Sequence, residues 1–160
     1  MTNFLVAGIT FLMAWIIVFG TIALIALFLL IARWWRRRAQ RPKLIYIICP
    51  VRGLNEIQKT AIENYVALLE RDGYQVHFPP RDVDQTDPVG LTICLGHLKA
   101  LKKSDRVDIF WDVNSKGSHY DLGMAFALGK KLKLVKTYQP DTAGKSFLKV
   151  IKALEERQKH

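Results

Sequence analysis

The sequence predicts an α/β fold, a three-layer sandwich with a mostly parallel sheet, preceded by a single transmembrane helix. Residues 44–49 are apolar and β-rich, which is typical of a strand buried on both faces. Apolar runs then alternate with segments of helical period joined by short polar connections. An uncharged stretch at residues 4–32 precedes all of these. We therefore expect an anchor and linker over residues 1–42 and one domain over residues 43–160.

The uncharged stretch is long enough to span a bilayer, for which about 20 apolar residues suffice. Its start carries no charge, unlike a cleaved signal peptide, and the basic, Trp-containing segment 33–38 follows it. Positive charge beside a span stays in the cytoplasm. The pattern predicts a single-pass inner or plasma membrane protein that contacts lipid through residues 4–32, with its N-terminus outside and its C-terminal domain cytoplasmic.

The net charge of +10 is concentrated at that flank. Six of the 24 basic residues and none of the 14 acidic residues lie within residues 1–43, so the domain itself carries about +4. A basic cluster beside a membrane is explained by topology and anionic lipid. We therefore expect no nucleic-acid partner.

Each element of the domain has its own signal. Asn55 is a candidate helix cap, and Gly73 is a candidate stop for the helix that Asn55 begins. After the first strand, the predicted elements are a helix over 55–72, a strand over 74–78, a polar loop over 79–88, a helix over 89–103, a strand over 106–112, a helix beginning near Ser118, a short strand over 132–135 and a helix over 146–158.

The polar turn after the strand over 106–112 is the leading candidate for an active site. It contains Ser115, Gly117 and Ser118, and it opens directly into a helix that carries Asp121. Ligands of open α/β sheets bind at the carboxyl ends of the strands, and N–H groups at a helix start attract anions. From spacing alone, however, a capping box formed by Ser118 and Asp121 is favoured over a catalytic carboxylate.

The cysteines and histidines show no metal-binding pattern. Cys49 and Cys94 are far apart, and the four histidines lack the spacing of a zinc site. We expect neither a metal nor a disulfide.

Four segments in order resemble the nucleoside 2-deoxyribosyltransferase family, and within it the branch of 2-deoxynucleoside 5-monophosphate N-hydrolases. They are IY at 45–46, CPVRG at 49–53, KSD at 103–105 and S-x-G-S-x-x-D-x-G-x-A at 115–125. The resemblance covers most of residues 43–137 and implies a flavodoxin-like or Rossmann-like sheet.

The resemblance also implies catalytic roles. Asp121 falls where the family has its nucleophile, although the usual residue is Glu, and Tyr46 falls where a Tyr orients that carboxylate. His97 falls where the family has a second active-site Asp, so it is a candidate acid or base. A partly buried helix histidine that makes only one hydrogen bond is the alternative, and it is the more common case.

Substrate-binding residues are implied in three loops, with Arg52 and Ser115 as phosphate ligands. A solvated loop is the alternative for the acidic segment after the second strand. The implied residues are Arg52, Gly53, Ser115, Gly117, Ser118, Asp82, Asp84 and Gln85.

The predicted function is therefore that of a membrane-anchored N-glycosidase or deoxyribosyltransferase. It would cleave the base–sugar bond of a 2-deoxynucleoside (mono)phosphate through a carboxylate nucleophile, without a cofactor and as a homo-oligomer. A catalytically weak or inactive nucleotide-binding sensor or membrane effector is the alternative, and an enzyme that cleaves NAD is a weaker one.

Overall fold

The structure, a computed structural model, describes residues 19–34 and 43–158. The chain divides into two units, Met1–Arg41 and Pro42–His160.

In the first unit, residues 19–34 form a helix. Its large apolar side chains are exposed, among them Ile22, Leu27 and Phe28. The first part of the predicted span, residues 4–18, lies outside the described residues. Among the helices that the structure describes, none is both long and apolar enough to cross a membrane.

The second unit is built on one sheet of four parallel strands in the order β2-β1-β3-β4. This confirms the predicted α/β class and the parallel sheet. The two central strands are almost wholly buried, as their apolar runs predict. The strands are β1 (Leu44–Ile48), β2 (Gln75–His77), β3 (Arg106–Trp111) and β4 (Leu132–Thr137).

Helices cover both faces of this sheet, and the alternation of side chains along β1 separates two cores. Ile45 and Ile47 pack with one helix, α1, whereas Tyr46 and Ile48 pack with residues of α3, α4 and α5. The three predicted layers are therefore present. The helices are α1 (Glu56–Arg71), α2 (Pro79–Asp82), α3 (Leu91–Lys103), α4 (Lys116–Ala127) and α5 (Phe147–Arg157).

The first helix begins and ends as its sequence predicts. The Asn55 side chain accepts a hydrogen bond from the Gln58 N–H, and the Gln58 side chain accepts one from the Asn55 N–H. Gly73 follows the helix at a φ of 86°, a left-handed conformation that favours glycine.

The segment predicted as a polar loop over 79–88 instead begins with the single turn α2. Two prolines occupy the start of this turn, where their fixed φ suits a helix. The Asp82 carboxylate accepts a hydrogen bond from the Phe78 N–H at 2.8 Å. The proline pair, predicted to lie in a loop, therefore starts a short helix.

Candidate active site

The site lies where β1 and β3 end and α4 begins. Three loops and the inner side of α3 enclose a cavity of about 440 Å³ there. Its polar lining residues are Arg52, Gln85, His97, Asn114, Ser115, Lys116, Gly117 and Asp121.

The turn that leads into α4 is held by side chains of its own neighbourhood. Asp112 Oδ1 accepts hydrogen bonds from the Asn114 N–H at 2.8 Å and from Gln139 Nε2 at 2.7 Å. Gln139 Oε1 in turn accepts from the Val113 N–H at 3.1 Å. The loop therefore presents Asn114 and Ser115 to the cavity from a braced position.

The helix begins at a different residue from the one predicted. Ser115, not Ser118, is the N-cap of α4, and its Oγ accepts from the Ser118 N–H at 3.3 Å and from the Ser118 hydroxyl at 2.9 Å. Asp121 consequently lies in the second turn, where its side chain does not reach the cap. The capping-box interpretation of Ser118 and Asp121 is wrong, because the helix starts one turn earlier.

Asp121 instead joins two residues from other elements. The Tyr46 hydroxyl on β1 donates to Asp121 Oδ2 at 2.9 Å, and His97 Nδ1 on α3 lies 3.0 Å from Asp121 Oδ1. Only 8% of the Asp121 side chain and 10% of the His97 side chain are exposed. We call these three residues the Tyr–Asp–His cluster.

Burial decides the protonation state of the Tyr46 hydroxyl in this cluster. Its removal from water, and then the nearby Asp121 charge, raise the pKa of Tyr46 far above its ordinary value. Tyr46 therefore remains a neutral hydroxyl that donates to the carboxylate. The same two causes raise the pKa of Cys49, which also lines the cavity, to about 12.

The hydrogen bond to Asp121 decides which ring nitrogen of His97 carries the hydrogen. A carboxylate only accepts hydrogen bonds, so Nδ1 carries the hydrogen when Asp121 is ionised. Nε2 is buried and has no hydrogen-bond partner among the described residues. In neutral His97 that nitrogen holds a free lone pair.

A positively charged wall completes the cavity. Arg52 from the loop after β1 and Lys116 from the first turn of α4 both line it. Neither side chain forms an ion pair or hydrogen bond within residues 19–34 and 43–158. Lys116 was not among the predicted site residues, although its place between Ser115 and Gly117 was a signal. Two free cations beside a helix start are suited to an anion.

The other predicted substrate-binding residues are distributed more widely. Gln85 lines the cavity that holds Asp121. Gly53, in the loop after β1, lines a different and smaller cavity of about 190 Å³. Asp82 and Asp84 line a separate cavity of about 750 Å³ beside the edge strand β2. The tertiary structure thus brings only the last residue of that acidic segment to the Tyr–Asp–His cluster.

The Asp82 carboxylate accepts hydrogen bonds from neighbouring residues. Partial burial alone would raise the pKa of its carboxyl group, but hydrogen bonds from Arg81 and the Phe78 N–H outweigh this and lower it. Among the described residues, no three His, Cys, Asp or Glu side chains are placed to hold a metal ion.

Two solved structures share the fold. The CMP N-glycosidase BcmB of Clostridium botulinum is 23% identical, with a TM-score of 0.51 over 70% of this chain and 82% of that chain. A 2-deoxyribosyltransferase from Bacillus psychrosaccharolyticus is 19% identical, with a TM-score of 0.50 over 67% of this chain and 89% of that chain. No family model matches the sequence, and no curated protein matches it. At these identities the likeness shows a common fold.

Proposed function

We propose that this protein cleaves the base–sugar bond of a 2-deoxynucleoside monophosphate, as an N-glycoside hydrolase or a deoxyribosyltransferase. The observation that carries the proposal is the Tyr–Asp–His cluster, a buried carboxylate held by two donors at the wall of a nucleotide-sized cavity. Glycosidic bonds break through an oxocarbenium-like transition state, which a carboxylate stabilises. The names of the two structural neighbours agree with this class of reaction.

The cation wall supports a phosphorylated substrate. A guanidinium, an ammonium and the N–H groups at the start of α4 offer the donors that a 5-phosphate requires. The Ser115 hydroxyl accepts two hydrogen bonds from Ser118, which leaves its own hydrogen for a ligand. Arg52, Lys116 and Asp121 line the same cavity, so one bound nucleotide can contact both the cations and the carboxylate.

In the form that the sequence resemblance implies, Asp121 attacks the anomeric carbon and displaces the base. Water or a second base then resolves the glycosyl ester. Tyr46 orients the carboxylate, and His97 exchanges protons with the reacting groups. No cofactor takes part.

A chromatographic screen of the full chain tests the reaction. The substrates are the four common 2-deoxynucleoside monophosphates, the corresponding deoxynucleosides and NAD. We expect free base from the monophosphates, its loss in Asp121→Asn, and its retention in Asp141→Asn, which removes an exposed carboxylate elsewhere. Absence of base release together with nucleotide-dependent stabilisation against heat would contradict an enzyme and favour a nucleotide sensor.

Phosphate selectivity has a separate test. We expect Arg52→Gln to raise KM for monophosphates by about tenfold or more and to leave deoxynucleosides nearly unaffected, because a charged hydrogen bond is lost. Arg71→Gln, at the end of α1, is the matched control. Equal losses with both substrate classes would place Arg52 outside the phosphate site.

We also propose that residues 4–32 anchor the protein in a membrane with the domain in the cytoplasm. The exposed apolar side chains on the helix over 19–34 support a lipid environment. Replacing Ile25 and Leu29 by Arg is expected to move the protein from the membrane pellet to the supernatant, whereas Ile25→Val with Leu29→Ile does not. Retention of the double-Arg variant in the pellet would count against the anchor.

Assembly into a homo-oligomer is the last part of the proposal. Helices α3 and α4 contact each other, and each exposes large apolar side chains, namely Leu91, Leu95, Tyr120 and Phe126. Light scattering of the full chain is expected to give at least twice the monomer mass, and Leu95→Lys with Phe126→Lys is expected to reduce it. A monomeric mass for the unmodified chain would contradict this.

A further inference from the structure

We infer that the edge of the sheet at which the four strands begin is a surface that binds anionic membrane lipid. We call this surface the cation edge. It consists of six exposed basic side chains, Lys43, Arg71, Lys102, Lys103, Lys131 and Arg157. The inference goes beyond the proposed function, because it assigns a lipid-binding surface to the domain itself and not only to residues 4–32.

Backbone hydrogen bonds bring the loops that precede the strands to one edge. The Gln75 N–H donates to the Lys43 carbonyl at 3.1 Å, and the Val107 N–H donates to the Lys131 carbonyl at 2.8 Å. Because the strands are parallel, helices α1 and α3, which lead into β2 and β3, also end at this edge. The basic residues in the last turns of these helices therefore join those of the loops.

Lys130 holds the ends of two helices together at the same edge. Its Nζ donates to the carbonyl groups of Lys102 at 2.9 Å and Ser104 at 2.7 Å, where α3 ends. Its own carbonyl accepts from Gln158 Nε2 at 3.0 Å, where α5 ends. Arg157, the last residue of α5, consequently belongs to the same surface as the end of α3.

Neighbouring carboxylates do not neutralise the cation edge. Within residues 19–34 and 43–158, none of its six charged groups forms a hydrogen bond or an ion pair. Glu70, which precedes Arg71, is instead paired with Arg81 at 2.8 Å. Only three carboxylates of the described residues accompany the six cations and Lys130 at this edge, namely Asp72, Asp105 and Glu156. The edge therefore keeps a positive net charge.

The connections at the opposite edge, where the strands end, have the reverse balance. Over residues 49–55, 78–90, 112–115 and 138–146 they carry five carboxylates and three cations. An uneven charge distribution of this kind orients a protein at a charged surface. When the cation edge faces anionic lipid, the cavity that holds Asp121 faces away from the lipid and is open to a soluble nucleotide.

Helix dipoles account for part of the cation edge, because they favour cations in the last turn of a helix. They do not account for Lys43, which precedes a strand, or for Lys131, which lies four residues beyond α4. Lipid is favoured over other polyanions because only residues 33–42 separate Lys43 from the proposed anchor. Each basic side chain held near an anionic leaflet adds to the attraction, which salt screens.

Lysine acylation of the unmodified full chain, measured residue by residue by mass spectrometry, tests the inference. The chain is mixed with vesicles of phosphatidylcholine alone or of phosphatidylcholine with phosphatidylglycerol. We expect the anionic vesicles to slow the acylation of Lys102, Lys103 and Lys131 several-fold, and high salt to restore the rates. Acylation should be equal with both kinds of vesicle at three exposed control lysines near the opposite edge, namely Lys59, Lys136 and Lys145.

Three results would overturn the inference. The first is equal acylation of Lys102, Lys103 and Lys131 with the two kinds of vesicle, and the second is equal protection of the control lysines. The third is protection by a nucleic-acid duplex without protection by phosphatidylglycerol, which would assign the edge to a different partner. Base release by the same preparation reports the proposed function separately, so failure of one is distinguishable from failure of the other.

Variants test the edge without the anchor. In a chain that carries Ile25→Arg and Leu29→Arg, we expect replacement of Lys102, Lys103 and Lys131 by Gln to lower sedimentation with anionic vesicles several-fold. Replacement of the three control lysines by Gln removes the same charge and should have little effect. Equal losses in the two triple variants would attribute binding to net charge alone and overturn the inference. This comparison decides the inference whether or not residues 4–32 anchor the protein.

Discussion

Two buried carboxylates on opposite faces of the sheet have similar partners and different surroundings. Asp108 on β3 accepts from the Tyr65 hydroxyl at 2.8 Å and from Arg106 Nε and Nη2 at 2.6 and 2.8 Å. Asp121 on α4 also accepts from a tyrosine hydroxyl, but its second partner is a histidine. Each carboxylate therefore has one tyrosine hydroxyl and one nitrogen-containing side chain as neighbours.

The difference lies in what the second partner can do. The Arg106 guanidinium is permanently charged and holds the fully buried Asp108 in a forked pair. His97 can gain and lose a proton, and it lies at a cavity together with Asp121. The two carboxylates therefore share burial and differ in the chemistry of the second partner and in access to a cavity.

The largest expected effect follows from removing the charge of Asp121, the carboxylate that lines the cavity. Asp121→Asn is expected to lower kcat by at least about 10³-fold, while the free energy of unfolding changes by less than about 1 kcal/mol because Asn keeps the shape and a hydrogen bond. Base-release assays and denaturant unfolding measure the two quantities. A large loss of stability without loss of turnover would make Asp121 a structural residue like Asp108.

For Asp108, the fully buried carboxylate, we expect a loss of stability without a loss of turnover. Asp108→Asn should cost about 2–3 kcal/mol in the free energy of unfolding, because an NH2 group replaces one of the two oxygens that accept from Arg106 and the guanidinium loses its charged partner. Partial exposure of Arg106 keeps the cost below that of a fully buried pair. Turnover of the folded fraction should be unchanged. Equal losses of turnover at both positions would abolish the distinction between the two sites.

The tyrosines sharpen the comparison. Tyr46→Phe and Tyr65→Phe each remove one hydroxyl that donates to a carboxylate, so each is expected to cost about 1 kcal/mol of stability. Only Tyr46→Phe should also reduce kcat, by about tenfold, since only its carboxylate lines the cavity of the proposed reaction. A matching fall in kcat for Tyr65→Phe would show that the two faces of the sheet are coupled.

The smallest effect concerns Cys49, whose pKa is raised to about 12 by burial and then by the Asp121 charge. Removing that charge in Asp121→Asn should lower the pKa of the thiol modestly, because burial is the larger cause. The alkylation rate of Cys49 at fixed alkaline pH should therefore rise in Asp121→Asn and stay constant in Asp108→Asn. The half-buried Cys94 provides the internal standard.

Much of the fold could be predicted because its signals are local. The apolar run of β1, the cap at Asn55 and the period of α3 each depend on neighbouring residues, and the structure contains all three. The start of α4 was misjudged by one turn, since two serines three residues apart offer equally good caps. Only packing selects between them: Ser118 is buried beneath Ser115, which then takes the cap position.

The candidate site could be predicted only in part. The turn at Ser115 and Gly117 was visible as a local pattern, and a family resemblance pointed to Tyr46 and Asp121. The place of Asp82 in the other cavity was not foreseeable, because the prolines at 79 and 80 start a helical turn that directs Asp82 to its own backbone.

By itself, the sequence determined the α/β class, the parallel sheet and the position of the polar turn before α4, because strand burial, helix period and turn chemistry are properties of short segments. Only the tertiary structure decided which side chains meet. Tyr46 and Asp121 are 75 residues apart and His97 and Asp121 are 24 apart, so no local pattern records their hydrogen bonds. They meet because α3 and α4 pack on the face of the sheet to which Tyr46 points, where a carboxylate, a hydroxyl and an imidazole lie at hydrogen-bond distance out of water.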